Sequence, residues 1–249
     1  LFGYDPDVMA SAAERVAAAG ADLIDINMGC PVPKVCKTGA GAALLEDPGR
    51  ALALARAAAA GSGLPVTVKL RSGQRPGERS GIELARRLAW EGAVAGIGIH
   101  PRHASQRHKG QPDYGLAAGL VDELPVPVLI SGGLQTAQAV RSAFEQTGAE
   151  AVLLARGSLG NPWLFEQLLG RRDTGPEPDE ILAELDWVIE CAREHLGAQR
   201  AVRYLRKFYP WYVERLGAGK PLQAALATAP TLEAARALLH GALPATVAP

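Results

Sequence analysis

Five short apolar runs, about 25 to 45 residues apart with a helical pattern between neighbours, most constrain what this chain can fold into. They fall at residues 23–27, 66–71, 96–100, 126–131 and 151–156. Each is too short for a helix and is bounded by turn residues, as buried parallel strands are. Among the helices, Asp5-Pro6 reads as an N-cap with proline at the first helical position of a segment ending at Gly20. Asp47-Pro48 opens a second helix that stops at Gly61, and Ser80-Gly-Ile-Glu83 reads as a capping box leading a third to Gly92. A further helix covers residues 137–146. Such alternation means βαβ units and a parallel sheet.

A doubly wound sheet and a barrel share that period, and two features favour the barrel. Polar residues gather at the C-terminal end of every strand: Asn27 and Cys30, Lys69 and Arg71, His100 and Arg102, Ser131, and Arg156. A (β/α)8 barrel builds its site at that rim. No Gly-x-Gly-x-x-Gly opens a helix with an acid one strand later. The count reaches five complete strands and a stub at Leu1-Phe2. A closed barrel has eight, so its front is expected ahead of Leu1. The expected fold class is α/β: a (β/α)8 TIM barrel lacking its first strands, followed by a small C-terminal helical domain. The barrel takes residues 1–170. A linker rich in glycine, proline and charge leads into the helical domain, 171–249, with helices at 179–196, 199–216, 221–228 and 232–239, the last capped by Thr231.

Composition narrows the function classes. No apolar run is long enough to span a bilayer, so no membrane partner is expected. Three cysteines, Cys30, Cys36 and Cys191, are too few for a disulfide framework and match no zinc spacing, which suits a reducing, cytoplasmic setting. The formal net charge is zero, so a nucleic acid would have to be met by local basic patches. Two exist. Residues 69–109 hold nine Lys/Arg against three acids. Residues 199–220 hold six against one, interleaved with Tyr204, Phe208, Tyr209, Trp211 and Tyr212. Arg200, Arg203 and Lys207 share a helical face there, which suits either a solvated surface or a bound polyanion.

The densest chemical signal is Asp25-Ile-Asn27-Met-Gly29-Cys30-Pro31. A cysteine in the loop after a barrel strand sits where catalytic groups sit, and Gly29 would let backbone approach a ligand closely. A buried structural cysteine fits the same pattern. Cys191, inside an amphipathic helix, reads as core. Lys69 and Arg71 point the same way by alternation, with Leu70 opposite. A lysine there could form a Schiff base, neutralise an anion or hydrogen-bond a flavin ring. His100, His103 and His108 lie in one basic loop without helical ligand spacing or nearby carboxylates, so no metal is expected and anion or cofactor contact is favoured. Ser131-Gly132-Gly133 and Arg156-Gly157-Ser158 end the last two strands, where many barrels hold a phosphate on backbone N–H groups. Asn161-Pro162 reads as the cap and first residue of the next helix. Gly39-Ala-Gly41 reads as a turn.

Asp25-Ile-Asn-Met-Gly-Cys-Pro31, Val68-Lys-Leu-Arg-Ser-Gly73, His100-Pro-Arg102 and Arg156-Gly-Ser-Leu-Gly-Asn-Pro-Trp163 stand in the order and spacing of the tRNA-dihydrouridine synthases, and Arg206-Lys-Phe-Tyr-Pro-Trp-Tyr212 is similar too. The chain resembles a bacterial member of that family over nearly its whole length. The resemblance implies a monomeric FMN enzyme that reduces the C5–C6 bond of particular uridines in tRNA, reloaded by NADPH. Cys30 would be the general acid at C5. Asn27, Arg71 and Arg102 would contact the substrate, with Arg203 and Lys207 on the tRNA. Lys69 and His100 would contact FMN, and Ser131, Gly132, Gly133, Arg156 and Gly157 would hold its phosphate. Ser131 stands where the family commonly has Asn, Ala155 where it has Gly, and the family's first flavin-contacting strand is absent. Two other readings stay open: a small-molecule FMN oxidoreductase of the dihydroorotate-dehydrogenase-like class, and an inactive fragment that only binds tRNA.

Overall fold

The computed structural model describes residues 1–241. They divide into two compact units, the first Leu1–Arg156 and the second from Gly157 onward. The division falls ahead of the expected linker at residue 170. The reason is packing: Trp163, on a short helix before that linker, is buried in the apolar cluster of the second unit with Leu185, Tyr212 and Leu232.

The first unit runs α1 (Pro6–Ala18), β1 (Ile24–Asn27), α2 (Pro33–Cys36), α3 (Pro48–Ser62), β2 (Val66–Arg71), α4 (Ser80–Trp90), β3 (Gly96–His100), α5 (Tyr114–Glu123), β4 (Val128–Ser131), α6 (Ala137–Thr147) and β5 (Ala151–Leu153). Its five strands are parallel and stand in sequential order. A doubly wound sheet reverses its order at a switch point, whereas a barrel keeps sequence neighbours adjacent. The arrangement is therefore that of a (β/α)8 barrel, over five of its strands. Leu1 lies against the outer side of β1: its nitrogen donates to the Asp25 carbonyl at 2.7 Å, and the Asn27 N–H donates to the Leu1 carbonyl at 2.8 Å.

Strand alternation gives the sheet two different faces. Ile24, Ile26, Val66, Val68, Leu70, Ile97, Ile99, Val128 and Ile130 are all nearly inaccessible and form the core beneath the helices. The alternate positions carry the polar groups: Asn27 pairs with Lys69 across β1–β2, and Lys69 with Gly98 and Arg71 with His100 across β2–β3. One face supplies stability and the other is left for chemistry.

Several local expectations give way to tertiary contacts. The Asp5 cap forms, its carboxylate accepting from Asp7 and Val8 N–H. The capping box at Ser80 does not: α4 has no side-chain cap, and the Ser80 hydroxyl donates to Glu46 at 3.3 Å. Gly61 does not stop α3, which continues to Ser62 and ends on left-handed Gly63. A Cβ at Gly61 would lie 2.3 Å from the Ala10 carbonyl oxygen, so this glycine serves the close crossing of α1 and α3. The helix α5 has a weak sequence signal because Gly115 and Gly119 dilute its pattern.

The second unit is all helical: α7 (Trp163–Leu168), α8 (Pro178–Leu196), α9 (Ala198–Leu205), α10 (Tyr209–Arg215), α11 (Lys220–Thr228) and α12 (Leu232–His240). The single helix expected over 199–216 is two, because Pro210 lacks the N–H that would continue the ladder. Asn161 is not a helix cap; buried, it donates its amide to the Gly157 carbonyl. Thr231 caps α12 as expected, accepting from the Ala234 N–H. Residues 242–249 of the expected helical domain lie outside the described residues.

Gly61→Ala separates the two readings of that glycine. Helix propensity alone would stabilise by about 1 kcal/mol. The collision with Ala10 is expected to destabilise by about 1–3 kcal/mol in chemical denaturation. A stabilised variant would contradict the close α1–α3 crossing.

Candidate active site

The C-terminal ends of β1, β2 and β3 enclose a cavity of about 450 Å³. Asn27, Cys30, Lys69, Arg71, His100 and His108 line it, and no carboxylate does. The sheet register delivers Asn27, Lys69, Arg71 and His100 to one face at two successive levels, Asn27 beside Lys69 and Arg71 beside His100.

Cys30 sits on a loop held from several sides. The Asn27 Oδ1 accepts from the N–H groups of Gly29 at 3.1 Å and Cys30 at 3.0 Å. The Cys30 carbonyl accepts from the Ala42 N–H at 2.9 Å and from the Cys36 thiol at 3.2 Å. Gly41, with φ +63°, passes so close that a Cβ would lie 2.7 Å from the Cys30 oxygen. Gly39-Ala-Gly41 is thus more than a turn, and Cys36 has a local role. Gly29 lines the cavity and also serves a second contact: a Cβ there would meet the β2 backbone at Lys69 and Leu70, so its bareness lets its loop close on β2. Asn27 commits its oxygen to the loop, which leaves its amide nitrogen for a ligand.

Arg71 ties this loop to the next one. Its Nε donates to the Gly29 carbonyl at 3.0 Å, and its Nη1 to the carbonyls of His103 at 3.1 Å and Arg107 at 2.7 Å. It is only 4% exposed, so the three carbonyls compensate a guanidinium that has left water. Arg102 is equally buried and is not part of the cavity lining. Its Nε and Nη2 both donate to the Gly110 carbonyl, and its Nη1 to His100 Nε2 at 2.9 Å.

That last contact sets the state of His100. A guanidinium can only donate, so Nε2 must accept and the imidazole is neutral. Burial, then the charges of Arg71, Lys69 and Arg102, lowers the His100 pKa to about 3. Burial and the neighbouring Arg71 lower Lys69 to about 7, with Asp25 opposing. Its stem crosses Gly98, where a Cβ would lie 2.6 Å from Lys69 Cδ. His108 stacks on His100 with centroids 6.1 Å apart, and burial followed by the charge of Arg156 lowers its pKa. His103 instead engages Gln106, so the three histidines do not converge.

After β4, Gly132 and Gly133 both adopt positive φ, +94° and +79°. A Cβ at Gly132 would lie 2.3 Å from His100 Nε2 and 2.9 Å from Arg102 Nη1. The glycine therefore seats the His100–Arg102 pair. The Ser131 hydroxyl turns toward the Ile99 carbonyl at 3.5 Å, so this loop presents backbone rather than a side chain. Arg156, exposed at the end of the first unit, begins a 3-10 turn instead of closing a strand. Gly157 is buried at the start of the second unit. In that unit Arg203 is exposed on α9, and Lys207 lies in the turn after it.

A donor-rich, acid-free cavity beside a fixed thiol suits a planar, anionic or carbonyl-bearing ligand. Comparison with known proteins agrees in family. The dihydrouridine synthase family model matches residues 1–246. The tRNA-dihydrouridine synthase B of Shewanella oneidensis is 32% identical over 220 residues, covering 86% of this chain and 68% of that protein. That of Pseudomonas aeruginosa is 33% identical over 234 residues, covering 90% and 69%. The chain spans about two thirds of the length of these curated relatives. Among solved structures, morphinone reductase in complex with tetrahydroNAD aligns at TM-score 0.51 and 17% identity over 71% of this chain and 51% of that one, a likeness of fold alone.

Lys69 gives the cavity a pH signature. Unfolded, it keeps its proton up to 10.5; folded, it releases it near 7. The unfolded state thus binds more protons between those values, and stability rises with pH across that window. Lys69→Met is expected to flatten the rise in a pH series of denaturation midpoints. Parallel profiles for the two proteins would show that Lys69 is not desolvated.

Proposed function

This chain belongs to the dihydrouridine synthase family, and on that footing we propose that it carries most of the catalytic machinery for reducing uridines of tRNA to 5,6-dihydrouridine. The observation that supports this reading best is the pinned Cys30 loop, facing an acid-free rim of Lys69, Arg71 and His100. FMN is the proposed cofactor and NADPH its reductant.

The residues present fit a flavin mononucleotide. Lys69 and the neutral His100 offer polar contacts to the ring. The bare, left-handed Gly132-Gly133 turn and the exposed Arg156 suit a phosphate, with Ser131 and Gly157 as the further backbone positions proposed for it. Bound there in reduced form, FMN would supply a hydride to C6 of the uracil. The chain's own part is proton delivery and orientation. Cys30 holds a proton on Sγ and gives it to C5 as general acid, and solvent restores it. Asn27 fixes the backbone on which that thiol rides and turns its amide toward the base. Arg71 holds the Cys30 loop and the 103–107 loop at one separation, so the uracil meets both. Lys69 and Arg71 also favour the negative charge that develops on the uracil carbonyl as C5 awaits its proton. Arg102 acts on the substrate through His100 and the 100–110 loop. Arg203 and Lys207 are the proposed tRNA contacts, and the six-to-one basic excess of residues 199–220 favours a polynucleotide over a small-molecule substrate. A uridine reaches so recessed a cavity only by leaving its stack, at a cost of a few kcal/mol that tRNA binding must offset.

Cys30→Ala tests the assignment in the complete enzyme. Flavin content and NADPH oxidation are expected to persist, while dihydrouridine formation falls about a hundred- to ten-thousand-fold. Undiminished turnover by the variant would end the proposal.

A further inference from the structure

The helical unit contains a second cavity, of about 370 Å³, with a different chemistry. Trp187, Cys191 and His195 line it from α8, and Tyr204 and Phe208 from α9 and the turn that follows. Its wall is aromatic, yet it stands open to water: Trp187 is 63% and Tyr204 42% exposed. Cys191, expected from the sequence to be core, lies half-buried on this wall instead. Large aromatics at a surface cost solvation unless they meet something.

The edge of the cavity says what that is. Arg200, Arg203, Arg206 and Lys207 are all exposed on the chain segment that carries Tyr204 and Phe208. The Lys207 ammonium stands 4.0 Å from the Tyr204 ring centroid and 5.1 Å from that of Phe208. Tyr204 and Phe208 meet at 5.1 Å with their planes tilted by 44°. Two acids of α8 are engaged elsewhere, Asp186 with Arg236 and His240, and Glu190 with Arg193 and Arg236, while Glu194 stands beside His195 at one end of the cavity. His195 engages the Cys191 carbonyl through Nδ1, which leaves Nε2 as a polar atom of the wall beside the Tyr204 hydroxyl and the Cys191 thiol. Cations at the rim, π-faces on the wall and one hydrogen-bonding imidazole are the recognition set for an unstacked nucleobase with its flanking phosphates. A purely apolar peptide would leave Lys207 and the basic segment around it unused.

We propose that this cavity receives one unstacked base of the RNA substrate, held on Trp187 and Tyr204 while Arg203 and Lys207 take the adjoining phosphates. The proposal rests on the tRNA reading and deepens it, because it assigns base contact, and not only charge, to the helical unit.

The test uses the full chain, the single variants Trp187→Ala and Tyr204→Ala at exposed positions, Trp187→Phe, and the double variant Arg203→Ala/Lys207→Ala. The probes are a single-stranded oligouridylate and a strand of equal length with abasic sites, titrated over a range of salt. The alanine variants at the aromatic positions should bind the oligouridylate about five- to a hundred-fold more weakly, the worth of one stacked base, with an unchanged salt slope. Trp187→Phe should restore most of the affinity. The double basic variant should instead flatten the slope by about 0.7 for each phosphate that is no longer neutralised. The aromatic variants should show little further weakening on the abasic strand. Wild-type affinity in both alanine variants, or equal weakening on both strands, overturns the base pocket and leaves the tRNA reading standing. No RNA binding by the wild-type chain overturns both.

Discussion

The site depends on one buried cation. Arg71 is placed by the end of β2, and its guanidinium takes carbonyls from the Cys30 loop and from the loop that follows β3. Without that partner both loops lose charge-assisted hydrogen bonds, at Gly29 on one side and at His103 and Arg107 on the other. Equally, a guanidinium that is 4% exposed cannot remain inside without its acceptors. The two loops and the arginine therefore stand or fall together. Arg107 bears part of the strain: it is the non-glycine residue with positive φ, +52°, among the described residues, and its backbone aims the carbonyl that Arg71 receives.

Around this clamp the charge pattern is consistent. Burial, followed by the charges of Arg71, Lys69 and Arg102, holds His100 neutral, and burial followed by the charge of Arg156 lowers the His108 pKa. A rim built from cations and the neutral His100 imidazole favours electron-rich, carbonyl-bearing or phosphate-bearing ligands and leaves a thiol as the acid. Burial strengthens the donors of Arg71 and Arg102, which are each 4% exposed. The family assignment, the parallel sequential strands and this electrostatic pattern are independent of one another and agree.

Much of this is legible in the sequence, for a physical reason. Strands β2 and β3 match their apolar runs to the residue because branched and apolar side chains alternate there with few competing signals, and the barrel order follows from their period. Alternation also places Lys69 and Arg71 on one face. The features that escape the sequence are those decided by distant partners. Ser80 has the sequence of a capping box, but Glu46 claims its hydroxyl. Gly61 looks like a stop, but Ala10 explains it. Gly41 and Cys36 show no motif, and only the fold reveals that both brace the Cys30 carbonyl. Arg102 has the position of a substrate contact, and only the fold shows that three of its five N–H donors are engaged by Gly110 and His100. The break between α9 and α10 is signalled by Pro210 and masked by the amphipathic stripe on either side of it.

The coupling of the two loops through Arg71 is open to direct measurement by backbone hydrogen exchange. The Cys30 amide is protected by Asn27, and the Ala104 and Arg107 amides by Gly73 and Ala104. In Arg71→Lys, which keeps the charge but loses the fork, protection should fall at Cys30 and at Ala104 and Arg107 together, while the β2–β3 ladder keeps its own. Wild-type exchange in both loops, or a fall confined to one of them, would contradict the account.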